Sequence, residues 1–247
     1  MPMRSQLVLR IFDDFESLNE KLADAIASLS KTTKSGLSLA LTGGKTVGRV
    51  YKTLRANHRD AGWERVDFFW SDERLVPIEH LESNVRQAKD LWLSSLKVPC
   101  KRIHVPNGEA MEPQRAAEAY EGTLRQYLGP DLSLGCALLS LGEDGHIASL
   151  FPGHPATLET TRLVVPVLDS PKPPIRRITM TLAMLNRAAV VYLVAVGAEK
   201  AAALRDTLEG SLNLMRCPAQ GLQFGNSKIV VWADQNAAAQ LSKSETC

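Results

Sequence analysis

The sequence predicts an α/β fold: a single domain over residues 1–247, with a mostly parallel sheet carrying helices on both faces. Three observations predict it. Short aliphatic or β-branched runs recur along the chain, stretches with helical spacing separate them, and the apolar runs are continuous rather than alternating. Strands covered on both faces read in that continuous way. Strands that alternate with helices imply crossover connections and parallel pairing, a Rossmann-like arrangement.

The elements follow in order. A strand is expected at residues 7–11, then a helix in which Phe15, Leu18, Leu22, Ile26 and Leu29 share one face. Asp13 or Asp14 is placed to cap its start. Strands at 37–41 and 66–70 bracket a helix over 46–56, and helices over 83–95 and 113–128 precede a strand at 137–141. The last part predicts a strand at 190–196, a helix at 198–208, a strand at 229–232 and a helix at 234–241. Residues 142–174 break the rhythm, because Pro152, Pro155, Pro166, Pro171, Pro173 and Pro174 forbid a long helix. The apolar centre of that stretch, Leu163-Val164-Val165 with Val167, reads as a short strand inside a long functional loop of the same domain rather than as a linker.

Composition narrows the function. Of 247 residues, 45% are hydrophobic and 23% charged, with a net charge of +2, which excludes a disordered, collagen-like or coiled-coil chain. The near-neutral balance removes the electrostatic motive for nucleic-acid binding. There is no apolar run of about 18 residues, so no membrane span is expected. The start of the chain is too short in apolar residues for a secretory signal. Cys100, Cys136, Cys217 and Cys247 are scattered without CxxC spacing, as in a cytoplasmic protein with reduced thiols.

Four polar clusters each follow a predicted strand: Thr42-Gly43-Gly44-Lys45-Thr46, Ser71-Asp72-Glu73-Arg74, Gly142-Glu143-Asp144-Gly145-His146 and Gly197-Ala198-Glu199-Lys200. In a parallel sheet these ends share one edge, where open α/β sheets bind ligands. Gly43 and Gly44 let the backbone approach a ligand, and a following helix offers open amides to an anion, although the pair also reads simply as a tight turn. With Arg74 and Lys200 as full positive charges the set suits a phosphate monoester. Neither a GxxxxGK[ST] loop nor a GxGxxG fingerprint is present.

Asp144 and His146 flank Gly145, a spacing that lets a carboxylate fix an imidazole as a base, though alone it also reads as a surface turn. Asp72 and Glu73 are placed to orient Arg74 or to meet substrate hydroxyls. His104, His146 and His154 show no HxH or HExxH spacing, so no metal is expected, nor any cofactor.

The thirteen residues Leu141-Gly142-Glu143-Asp144-Gly145-His146-Ile147-Ala148-Ser149-Leu150-Phe151-Pro152-Gly153 resemble the signature of 6-phosphogluconolactonases. Trp70-Ser71-Asp72-Glu73-Arg74-Leu75-Val76-Pro77 with Ser83-Asn84, the glycine loop, Arg177-Ile178-Thr179-Met180-Thr181, Leu185-Asn186 and Gly197 to Ala201 are similar to that family's other motifs, in the same order. Glucosamine-6-phosphate deaminases share the Asp-Gly-His core and the fold, but continue with Phe-Asn-Glu-Pro, whose glutamate supports the histidine; here Ala148-Ser149-Leu150-Phe151-Pro152 follows. The chain departs from the pattern at Lys45 and Val47, where serine and proline are usual, and at Ser140. Lys45 is expected either to strengthen a phosphate site or to block it, the latter giving a catalytically idle sugar-phosphate-binding protein as the alternative beside a deaminase-like enzyme.

The resemblance implies hydrolysis of 6-phosphogluconolactone. His146, Asp144 and Asp72 are the expected catalytic groups, and Gly43, Gly44, Lys45, Thr46, Arg74 and Lys200 the expected phosphate binders. Ser149 is not expected to act as a nucleophile, since GxSxG is missing. The expected partner is a small sugar-phosphate lactone, and the expected assembly a monomer or weak homo-oligomer.

Overall fold

The computed structural model describes residues 6–33, 36–106, 112–224 and 227–242. Cys247 lies outside the described residues. Nine strands are named here in chain order: β1 (Gln6–Phe12), β2 (Leu37–Leu41), β3 (Val66–Trp70), β4 (Asp72–Arg74), β5 (Cys136–Ser140), β6 (Val164–Val167), β7 (Arg177–Met180), β8 (Val190–Ala195) and β9 (Lys228–Asp234). The helices are α1 (Phe15–Thr32), α2 (Lys45–Asn57), α3 (Asn84–Leu91), α4 (Pro113–Tyr127), α5 (Leu182–Leu185), α6 (Ala201–Glu209) and α7 (Gln235–Ala238).

The main sheet has the order β1-β9-β8-β5-β2-β3 and every pairing in it is parallel. Its continuous apolar strands alternate between two cores. Leu39, Leu41, Phe68, Trp70, Leu138, Val194 and Trp232 face α1, α2 and α3, whereas Ala40, Phe69, Ala137, Leu139, Leu193 and Val231 face α4, α5 and α6. From β2 the chain runs outward to β3, while from β5 it runs the other way to β8. The crevice between the ends of β2 and β5 is therefore a topological switch point.

Asp14 caps α1, its carboxylate accepting from Ser17 N at 2.8 Å. Other boundaries differ from expectation for physical reasons. The helix expected over 83–95 ends at Leu91, because Trp92 leaves helical angles and buries its ring against Tyr51, Trp63 and Phe68. Residues 198–200 form a 3₁₀ turn before α6, and α7 stops at Ala238. β1 was expected to be covered on both faces; as the edge strand it leaves Leu7, Leu9 and Ile11 exposed.

A second, antiparallel sheet of order β4-β7-β6 was not expected. Asp-Glu-Arg carries no strand signal, yet β4 pairs with β7, Asp72 opposite Thr179 and Arg74 opposite Arg177. β6 is the short strand expected within 142–174, and Glu121 of α4 anchors its start by accepting from Leu163 N and Val164 N.

Candidate active site

At the switch point lies a cavity of about 160 Å³. Its lining takes Thr42, Gly43 and Gly44 from the end of β2, and Asp72 and Arg74 from β4. Ser140, Leu141, Gly142, His146 and Ala148 enter from β5 and its loop, Arg177 from β7, Lys200 from the turn after β8, and Asn84 from α3. All four sequence clusters thus reach one crevice. A larger depression of about 450 Å³ beside α2 is lined by Lys52, Arg55, Ala56, Arg59 and Leu91, with no histidine or carboxylate among the described residues of its lining.

The loop after β5 is shaped around the imidazole. Gly142 N donates to His146 O at 2.8 Å, and Gly145 N to Gly142 O at 3.1 Å. A Cβ on Gly142 would overlap the His146 ring and the Asp144 carboxylate, so only glycine allows the ring to lie over the backbone there. Asp144 Oδ1 bonds His146 Nδ1, which leaves Nε2 as the outer nitrogen, and Phe151 packs against the ring at 4.8 Å. Burial works against the charge on Asp144. The hydrogen bond and charge of His146 and the charge of Lys172 outweigh it, and hold the carboxyl well below the usual carboxylate range.

Arg74 is held by Glu82, its Nη1 donating to Glu82 O at 2.6 Å with Glu82 Oε2 at 3.8 Å. Its Nε is buried without a hydrogen-bond partner. The expectation that Asp72 or Glu73 orients this guanidinium is corrected. Glu73 accepts from the backbone N–H groups of Arg74, Asn84 and Val85 and from Ser83 Oγ, at 2.7–2.9 Å, so it fixes the chain on either side of the cleft. Burial pushes the Glu73 carboxyl up against the pull of those four donors.

Asp72 lines the cleft, but its Oδ2 accepts from Ser149 Oγ at 2.7 Å, and Asn84 Nδ2 donates to Asp72 O at 2.9 Å. This geometry ties Asp72 to the loop carrying His146 through one carboxylate oxygen, while the residue still lines the cleft. Ser149 is fully buried.

The side chains of Lys45 and Thr46 do not line the cavity, and Lys45 is exposed. Lys45 therefore neither fills the pocket nor adds its amine to the lining. The amide of Gly44 donates to Gln87 Oε1 at 3.0 Å, so this glycine N–H is engaged within the protein, and no side chain caps α2 behind it.

Arg177, which the sequence marks only as part of a motif, is 4% exposed and lines the cleft. A buried arginine within a short strand is the signal that marks it, but only the structure shows the burial. Three cations, Arg74, Arg177 and Lys200, then face one lining carboxylate, Asp72, among the described residues. Such a cleft favours an anion.

A family model described as glucosamine-6-phosphate isomerases/6-phosphogluconolactonase matches residues 13–232. The chain is 35% identical over 244 residues to the 6-phosphogluconolactonase of Mycobacterium tuberculosis, covering 94% of this chain and 98% of that one. It is 33% identical over 247 residues to a chloroplastic 6-phosphogluconolactonase of Arabidopsis thaliana, covering 94% and 75%. The solved 6-phosphogluconolactonase of Trypanosoma brucei superposes with a TM-score of 0.86 at 26% identity, over 96% of this chain and 100% of that one. By sequence over most of its length, and by fold, this chain belongs to the glucosamine-6-phosphate isomerase/6-phosphogluconolactonase family.

Proposed function

We propose that the protein hydrolyses 6-phospho-D-glucono-1,5-lactone to 6-phospho-D-gluconate, a step of the oxidative pentose phosphate pathway. The observation that carries this reading is the sharing of one cavity by a carboxylate-backed imidazole and three cations. Arg74, whose buried Nε has no internal partner, binds the phosphoryl group together with Lys200. Arg177 adds positive potential from the floor of the cleft, and Gly43 and Gly44 allow close approach of the backbone.

His146 takes a proton from water as the water oxygen attacks the lactone carbonyl carbon. Asp144 holds the imidazole and stabilises its cationic form. The tetrahedral intermediate collapses, the bond from that carbon to the ring oxygen breaks, and His146 returns the proton to the departing oxygen. One water is consumed and the hydroxy acid is released. Phosphate binding at the far end holds the reacting carbon in register.

The deaminase alternative requires a glutamate supporting the histidine; the loop after His146 supplies none, and Asp72 is the only carboxylate lining the cavity among the described residues. Cytoplasmic placement belongs to the same proposal, supported by the free thiols of Cys100, Cys136 and Cys217.

The test is a coupled assay that subtracts spontaneous opening of the lactone. His146→Ala is expected to lower turnover by about 10²–10⁴-fold with folding retained. Wild-type turnover in that variant would remove His146 from the mechanism.

A further inference from the structure

Lys172 lies on the proline loop before β7, outside the cavity lining, yet its Nζ is 3.3 Å from Glu143 Oε1 and 3.8 Å from Asp144 Oδ2. Asp144 is the carboxylate bonded to His146 Nδ1. A cation on the far oxygen of that carboxylate is therefore coupled to the imidazole through it. The loop holds Lys172 in place. Ser170 N donates to Ile175 O at 3.0 Å and Ser170 Oγ to Lys172 O at 2.8 Å. Buried Arg177 clamps the loop from below, with Nε to Pro174 O at 2.9 Å and Nη2 to Lys172 O at 2.8 Å. Through Nη1 the same guanidinium reaches Ser149 Oγ at 3.3 Å, which ties the Lys172 loop to the loop that carries His146.

We propose that Lys172 is a positioning residue for the His146–Asp144 pair: its ammonium, bonded to Glu143 Oε1 and 3.8 Å from Asp144 Oδ2, biases the pH dependence of turnover through the Asp144 carboxylate, and Glu143 opposes it. The proposal rests on the assignment of His146 as the base. The physical argument is one of sign. A negative Asp144 favours the protonated imidazole, and a base works only when unprotonated. Lys172 offsets part of that negative charge, whereas Glu143 draws the ammonium away and adds a negative charge of its own.

Among the described residues, the other charged or titratable groups that line the cavity with His146 are Asp72 and Arg74 from β4, Arg177 from β7 and Lys200 from the turn after β8. The Cys217 thiol lies beneath Gly145, and burial pushes it up, so it stays neutral. None of these changes in the variants below. The Lys172 side chain is 38% exposed, so replacing it leaves the core intact.

The experiment measures kcat/KM for the phosphorylated lactone from about pH 5 to 8, where an imidazole titrates. It compares wild type, Lys172→Met, Lys172→Arg and Glu143→Gln. Lys172→Met is expected to move the acid limb up by about half a pH unit, the effect of one charge a few ångströms away in a solvent-like medium. Glu143→Gln moves the limb down, and Lys172→Arg keeps it in place. An NMR titration of the His146 ring, assigned by the signal lost in His146→Ala, follows the same shifts without turnover. Acid limbs unmoved in both Lys172→Met and Glu143→Gln, or an equal loss at every pH, would overturn the role of Lys172. Wild-type turnover in His146→Ala is a separate result and would overturn the base assignment on which the proposal rests.

Discussion

At the scale of single residues, the site depends on what a few side chains leave open. Gly142 leaves room for the imidazole, since a Cβ there would collide with His146 and Asp144. Gly142→Ala is expected to cut kcat by about 10²-fold through displacement of the ring, with KM nearly unchanged. A variant with wild-type kcat would show that the ring tolerates displacement. Arg74 leaves its buried Nε unpartnered. Arg74→Ala is expected to raise KM for the phosphorylated lactone at least about tenfold and to leave hydrolysis of unphosphorylated gluconolactone unchanged. Equal effects on both substrates would show that Arg74 does not read the phosphate.

Asp144 links the site to stability. Its carboxyl is held below the usual carboxylate range in the folded protein. The stability it contributes is therefore present above its unfolded value, near about pH 4, and is lost as pH falls through the folded value. Urea unfolding of wild type and Asp144→Asn should show a stability gap that narrows as pH drops below about 4. A gap that widens would reverse the sign.

At the scale of elements, β4 and α3 form a unit organised by Glu73. This buried carboxylate accepts from Ser83 Oγ and from N–H groups on both β4 and the start of α3. Glu73→Ala would leave those donors unsatisfied, at a cost of about 2–4 kcal/mol in urea unfolding. A loss below about 0.5 kcal/mol would mean that the segment re-pairs by itself. Elements of this kind are the ones sequence reading handles least well. The long apolar strands β2, β3, β5, β8 and β9 were legible, because burial on both faces leaves a continuous hydrophobic run. β4 and β7 were not: Asp-Glu-Arg and Arg-Ile-Thr-Met owe their pairing to each other, across about a hundred residues of chain, rather than to local propensity. The end of α3 was hidden for a similar reason, since the ring of Trp92 is claimed by a distant aromatic cluster.

At the scale of the whole molecule, strand order decides where chemistry happens. Connections diverge between β2 and β5, and the crevice opened there collects residues spread from Thr42 to Lys200. This convergence was legible, because parallel strands put their ends on one edge. What was not legible is which side chains of each cluster turn inward. Lys45 and Thr46 follow the glycine loop but do not reach the lining, whereas Arg177 does, through a sheet the sequence did not announce. Asp72 reaches it with its carboxylate already bonded to Ser149.

In the proposed reaction the phosphoryl group binds at Arg74 and Lys200 and the reacting carbon at His146, at opposite ends of one bound molecule. A crystal structure with 6-phosphogluconate tests that placement most directly. The expected result is the phosphate against the Arg74 guanidinium and the Lys200 amine, with the product carboxylate within hydrogen-bond reach of His146 Nε2. A product bound the other way round, or with its carboxylate remote from His146, would contradict it.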